Sequence, residues 1–245
     1  MPLLTTSKGE HTNAVLGFIN IMLKILEEEK PDYLAVAFDT HHPTFRHEMF
    51  EDYKGTRKGM PDELRQQVPM IKEILKAMKV AILEMPGFEA DDILGTLARK
   101  AEEAGNSVSL VSGDRDLLQL ASEKIKIRIP KTKMSGTEIE DYYDKDVLAK
   151  YNVSPKQFID LKGLMGDASD NIPGVPGIGE KTAAKLIQAY QSIENIYEHL
   201  DELPAGKVAN TLRDNRELAF LSKKLATICT ECEIDFNIEN AVLGK

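Results

Sequence analysis

"VAILEMPGFEADDILGTLARKAEEAGNSVSLVSGDRD", residues 80–116, reads as strand, helix, strand. The apolar run 80–84 has strand length and ends at a Pro86-Gly87 turn. Ile93, Leu94, Leu97, Ala98 and Ala101 then recur at helical spacing, which predicts a docked helix over 89–104. "VSLV" (108–111) is a second short apolar run, closed by "SGDRD". Two buried strands joined by a helix are the unit of a parallel sheet. Working outward, "YLAVAF" (33–38) and "IKIRI" (125–129) read as further strands, and 13–28 and 62–79 as helices. Strand patterns stop near 145, and 145–151, 155–165, 180–190, 192–199 and 207–223 read as helices. The expectation is an α/β domain over 1–144, with a mostly parallel central sheet flanked by helices, and an all-helical domain over 145–245.

The chain has 245 residues, 42% of them hydrophobic and 29% charged, as in globular domains with a real core. A net charge of −9 argues against a protein that simply coats nucleic acid, but not against one that holds it locally. No apolar run reaches membrane-spanning length and no secretory signal is present, so a cytoplasmic protein with no membrane partner is expected. Cys229 and Cys232 form a lone C-x-x-C. It lacks the second ligand pair of a zinc site and a redox-fold context, and reads as incidental.

Acids gather where the strands end. Glu89, Asp91 and Asp92 open the 89–104 helix, Asp39 follows the 33–38 strand, and Asp114 and Asp116 follow 108–111. Acids are favoured in a first helical turn, which accounts for one or two of them. On the helical wheel Glu89 and Asp91 flank the apolar face, whereas Asp92 points farthest from it and is expected at the surface. Parallel strands would deliver Asp39, Glu89, Asp91, Asp114 and Asp116 to one edge, the edge at which open sheets bind ligands. "GDASDN" (166–171) adds Asp167 and Asp170 on a turn. That many carboxylates do not stay ionised side by side without a cation. All are oxygen donors, so Mg²⁺ or Mn²⁺ is expected, and two ions would suit phosphodiester cleavage.

The bases are local. "HHPTFRHEMFEDYKGTRKGMP" (41–61) carries Arg46, Lys54, Arg57 and Lys58 among Phe45, Phe50 and Tyr53, a mixture suited to a single strand's phosphates and bases. "NIPGVPGIGEKTAAKL" (171–186) places Gly174, Gly177 and Gly179 before a helix carrying Lys181 and Lys185. Glycines let backbone N–H groups approach a phosphate, and the preceding helix makes a helix–turn–helix that grips duplex backbone.

These stretches, with "FDTHHPTFRHE" (38–48), "YKGTR" (53–57), "GFEADD" (87–92), "SGDRDLLQL" (112–120), "LKGLMGDASDNIPGVPGIGEKTA" (161–183) and "LATI" (225–228), resemble the 5′-nuclease domains of bacterial DNA polymerase I and flap endonucleases more broadly. The resemblance runs over essentially the whole chain. It implies a structure-specific 5′-3′ exonuclease or flap endonuclease that hydrolyses DNA by a two-metal mechanism in replication and repair, working as a monomer in the bacterial cytoplasm. It further implies a helical arch over 41–61 and a helix-three-turn-helix that can hold K⁺. By position, Asp39, Glu89 and Asp91 fall in the first metal group, and Asp114, Asp116, Asp167 and Asp170 in the second. Asp92 matches an acid common in the bacterial branch and is counted by that resemblance among the metal ligands. Lys54 matches a lysine that stabilises the scissile phosphate, with Arg57 beside it. The family opens with a strand ending in an Asp-Gly pair, whereas here "PLLTTSKGEHTNAV" follows Met1 at once. That departure leads to the expectation of a chain truncated at its start. Its alternative function is a catalytically weak module that binds branched DNA, with a polymerase domain in the parent protein.

Overall fold

The computed structural model describes residues 4–133 and 136–243. In chain order the elements are α1 (Asn13–Glu29), β1 (Ala35–Ala37), α2 (Phe45–Met49), α3 (Asp62–Arg65), α4 (Gln67–Ala77), β2 (Ala81–Leu83), α5 (Ala90–Glu103) and β3 (Val108–Val111). There follow a 3₁₀ turn (Arg115–Leu120), β4 (Ile125–Lys133), β5 (Gly136–Tyr142), α6 (Asp144–Tyr151), α7 (Pro155–Met165), α8 (Glu180–Tyr190), α9 (Ile193–Glu198), α10 (Lys207–Asp214) and α11 (Arg216–Ala226).

The chain divides into two compact units, one of 1–40, 58–85 and 233–245, the other of 41–57 and 86–232. This division cuts across the one at 144/145, because strands 108–142 pack with the helices that follow them. In the first unit β1 and β2 pair in parallel, Val36 opposite Ile82. Met22 of α1 and Ile71 and Leu75 of α4 close over them, with Phe18, Val36 and Phe38 at the margin. The 62–79 helix is broken at Gln66, and the buried Gln67 side chain turns back to accept the Ala14 and Val15 N–H groups (2.7 and 3.2 Å). Gln67 thus caps the orphan N–H groups at the start of α1.

In the second unit β3 and β4 are parallel and β4 and β5 antiparallel. The expected central sheet is therefore two separate sheets among the described residues. The strand at 136–142 has no counterpart in the sequence pattern. "GTEIEDY" carries acids at Glu138, Glu140 and Asp141 and only Ile139 and Tyr142 as large apolar groups, the composition of an edge strand. Segment 41–61, expected as a helical arch, carries less helix than that, with five residues of α2 followed by turns through 56.

Helix α7 is the spine of this unit. Ser154 caps it reciprocally with Gln157, Pro155 sits in its first turn, and Phe158, Leu161 and Leu164 are buried. Beyond α7 the chain turns through Gly166 and Gly174, both at positive φ (72° and 62°) and back to back. A Cβ on Gly174 would lie 2.6 Å from the Met165 carbonyl carbon and closer still to the Gly166 nitrogen. Its N–H donates to the buried Ser222 Oγ (2.9 Å). Gly174 therefore serves the packing of this turn, whereas Gly177 (φ 82°) and Gly179 are exposed with open space around them.

Gly174→Ala must push the two backbones apart and should cost about 3 kcal/mol or more. Gly177→Ala meets only the strain of positive φ, about 1–2 kcal/mol. Denaturant unfolding of the two variants checks the order, and equal losses would show that the back-to-back packing is absent.

Candidate metal and nucleic-acid site

Helix α5 begins at Glu89, whose backbone N–H donates to Asp92 Oδ2 (2.9 Å) in a capping box. Asp92 is fully buried, which corrects its expected surface position. Its carboxylate takes both Nη groups of Arg46 (2.8 Å each) and the Cys229 N–H (2.8 Å). Arg46 is buried too, with Nε on the Leu225 carbonyl (3.0 Å) and Nη2 on the Thr227 carbonyl (2.8 Å). Burial alone would depress the guanidinium pKa, and the Asp92 carboxylate outweighs it and holds the group charged. Arg46, expected as a nucleic-acid contact, is turned inward here. The signal for this is a second packed face on α5, made by Asp92, Gly95 and Thr96 at helical spacing. Segment 225–232 lies on that face, so closely that a Cβ on Gly95 would come within 2.8 Å of Ile228 Cγ2.

Glu89 turns to the other cations. Lys54 Nζ lies 2.6 Å from Glu89 Oε1 and 3.9 Å from Asp170 Oδ2, and Arg46 Nη1 is 3.5 Å from Glu89 Oε2. Tyr53, buried, donates its hydroxyl toward Glu89 (3.3 Å) and Asp170 (3.4 Å), and burial with these acids pushes its pKa up. Arg57 pairs with Asp170 and with the Ser169 carbonyl (3.1 Å). Lys54 sits at φ 55°, held by its N–H on the Asp170 carbonyl (2.8 Å). A lysine in this left-handed conformation at a cluster of acids is strain of the kind that marks functional sites.

The second group of acids centres on Asp116, which follows β3. Asp114 Oδ1 accepts the Asp116 N–H (2.9 Å), so the two acids are fixed on one turn. Lys162 of α7 bridges them to the 166–171 turn, with Nζ 2.8 Å from Asp116 Oδ1 and paired with Asp167. Asp167 also accepts from Ser169 N (2.8 Å) and Oγ (2.6 Å), and Lys162 and Ser169 hold its pKa down against burial. Burial pushes Asp116 up to about 6, reinforced by Asp114 and Asp167 and opposed by Lys162. Its Oδ1 is buried against the Lys162 ammonium.

Among the described residues no three acid, histidine or cysteine side chains are arranged to share a metal ion as they stand. Lys54, Arg57 and Lys162 hold the carboxylates instead. The donor set still fits a hard divalent cation: all oxygens, in excess of the nearby lysines and arginines, with an Asp116 carboxylate that burial leaves poorly solvated. Asp91 is half-buried on α5, Asp39 is exposed after β1 in the first unit, and Lys58 is exposed in that unit as well. Lys181 and Lys185 are exposed on α8. Tyr53 and Lys162 join the site without having been singled out by the sequence pattern as site residues. Lys162 lies five positions before Asp167, so its place in α7, one turn before the acidic turn, is the available clue.

The family described as 5′-3′ exonuclease, N-terminal resolvase-like domain, matches residues 1–152, and the one described as 5′-3′ exonuclease, C-terminal SAM fold, matches 153–245. DNA polymerase I of Bacillus caldotenax is 50% identical over 240 residues, 98% of this chain and 27% of that protein. DNA polymerase I of Bacillus subtilis strain 168 is 48% identical over 238 residues, 97% of this chain and 27% of that protein. The chain spans 27% of the length of these curated relatives. Among solved structures, the zinc-bound T5 5′-exonuclease superposes with a TM-score of 0.73 at 24% identity, over 87% of this chain and 81% of that one. The catalytic core of Rad2 in complex with DNA substrate gives 0.61 at 17% identity, over 98% and 77%. These two share the fold.

If Asp92 serves the Arg46 pair, Asp92→Asn should destabilise the protein in EDTA by about 3–5 kcal/mol, since it leaves a buried guanidinium uncompensated. Arg46→Met should do the same, and the double variant should lose less than the sum. Unchanged metal-free unfolding of Asp92→Asn would mean that Asp92 has no structural role.

Proposed function

The chain belongs to the 5′-3′ exonuclease family, and on that premise we propose that it is a divalent-metal-dependent nuclease that hydrolyses DNA phosphodiesters at 5′ flaps, nicks and branched ends. The observation that carries this reading is the gathering of Glu89, Asp114, Asp116, Asp167 and Asp170 around Lys54, Arg57 and Lys162 in one compact unit. Replication and repair, in a bacterial cytoplasm and as part of a DNA polymerase I, are the setting this reading proposes. Among the described residues no helix is long and apolar enough to cross a membrane. A monomer is sufficient for it.

The proposed ligands within the second unit are Glu89 and Asp91 for one ion and Asp114, Asp116, Asp167 and Asp170 for another, Mg²⁺ or Mn²⁺ in each. When bound, two such ions supply an activated water and a counter-charge for the leaving oxygen. Asp92 is left out of the set, because Arg46 and two backbone N–H groups occupy its carboxylate. The chain's own groups then have separate tasks. Lys54, the cation nearest Glu89, stabilises the charge that grows on the scissile phosphate, and Arg57 orients the same phosphate. Tyr53 keeps Glu89 and Asp170 at a fixed separation. Lys162 holds Asp116 and Asp167 in register until cations compete for them.

The segment 41–61 is proposed to pass the 5′ single strand, with Lys58 on its phosphates. Residues 145–245 are proposed to grip the duplex. There Gly177 and Gly179 admit a phosphate to the start of α8, Lys181 and Lys185 pair with the backbone, and carbonyls of the 171–179 turn hold K⁺.

Flap cleavage tests the reading. With a labelled 5′-flap duplex and Mg²⁺ the protein should release the flap, and EDTA should stop it. Asp114→Asn should abolish cleavage while DNA binding is kept or improved, because a repulsive charge is removed. Cleavage by that variant at the parental rate would remove Asp114 from the site.

Replacing Lys181 and Lys185 by alanine should weaken binding of every duplex alike. It should also lower the slope of log affinity against log salt by roughly two, one for each phosphate that is no longer neutralised. A sequence-selective loss or an unchanged slope would contradict a backbone grip.

A further inference from the structure

The C-x-x-C pair gains from the fold a context that its sequence lacks. Segment 229–232 is pinned on α5 at both ends. The Cys229 N–H donates to Asp92 (2.8 Å), the Cys232 N–H to Thr96 Oγ1 (3.1 Å), and Thr96 Oγ1 in turn donates to the Cys229 carbonyl (3.3 Å). Asp92 and Thr96 are one turn apart on the same helix face, and both are buried. This places the two sulfur atoms 3.2 Å apart. A cystine bond requires about 2.05 Å, so closure needs the sulfurs to approach by about 1 Å, within reach of side-chain rotation.

The two thiols differ in access. Cys232 is 4% exposed, whereas Cys229 is half-buried and lines a cavity of about 360 Å³. Phe45, Met49 and Phe88 give that cavity apolar walls, and the exposed Lys224 lines it with its aliphatic stem. This opening admits a small disulfide to the Cys229 sulfur.

We propose that Cys229 and Cys232 are a redox-modifiable pair that a low-molecular-weight disulfide converts to an intramolecular cystine. The Cys229 thiolate attacks one sulfur of the small disulfide, expelling one thiolate and leaving a mixed disulfide on Cys229. The Cys232 thiolate then attacks the Cys229 sulfur and expels the second. The protein loses two electrons and two protons, and the small disulfide is reduced to two thiols. The cystine forms beside the Cys229 N–H that holds Asp92. The inference rests on the thiol geometry and is independent of the nuclease reading.

The test is mass spectrometry of the native protein after incubation with oxidised glutathione and acid quench. The unaltered protein should lose two hydrogens and retain no glutathione. Cys232→Ser should retain one glutathione on Cys229, and Cys229→Ser should stay unmodified over the same time. A lasting glutathione adduct on the unaltered protein would overturn the proposal, as would no reaction at either cysteine, or modification of Cys229→Ser at the parental rate. A second measurement needs no variant: equimolar phenylarsine oxide, which bridges paired thiols, should protect both cysteines from alkylation. Absence of protection would contradict the pairing.

Discussion

The buried pair of Arg46 and Asp92 ties three distant parts of the chain to one point. The guanidinium comes from α2, the carboxylate from the first turn of α5, and the carbonyls that receive its remaining N–H groups from 225–227. A buried charge pair of this kind adds little stability over an apolar replacement, but it tolerates only one arrangement of its partners. Every neighbour here is satisfied in that arrangement. Gln119, also buried, reads the same segment from the opposite side, donating to the Ala226 carbonyl and accepting the Ile228 N–H (2.9 Å each). Segment 227–232 is thereby fixed without being a strand or a helix, and Glu89, the residue that caps α5, is fixed with it.

From that anchor the chemistry follows by charge balance. Glu89 and Asp170 meet around Lys54, Arg57 and Tyr53, and Asp116 and Asp167 meet around Lys162. These lysines and arginines keep the acids assembled. They also mean that a divalent cation entering the site competes with cations of the chain itself. In the proposed metal site Asp116 is the carboxylate that an entering ion relieves most, since burial pushes its pKa up.

Much of this is legible in the sequence because short apolar runs and helical periodicity are local signals. The strands at 33–38, 80–84, 108–111 and 125–129 and most of the helices lie where the patterns place them. Family motifs carry the acids and Lys54. What escapes the sequence is set by tertiary contact. Asp92 has the pattern of a surface residue because one helix face is visible in the periodicity, whereas the second is made by a segment more than 130 residues away. Arg46 has the composition of a phosphate contact, and only that carboxylate turns it inward. Gly174 looks like a glycine that admits a phosphate, and its purpose is the close approach of Gly166. The strand 136–142 escapes because an edge strand needs few apolar residues, and its partner supplies the hydrogen bonds.

Anomalous diffraction from crystals soaked in Mn²⁺ would read the site directly, since manganese scatters where it binds whether or not a substrate is present. The account predicts manganese peaks coordinated by Glu89 and Asp91 and by Asp114, Asp116, Asp167 and Asp170, with Lys162 displaced from Asp116 and Asp92 still paired with Arg46. Manganese absent from these carboxylates at saturating concentration, with Lys162 still between Asp116 and Asp167, would contradict it.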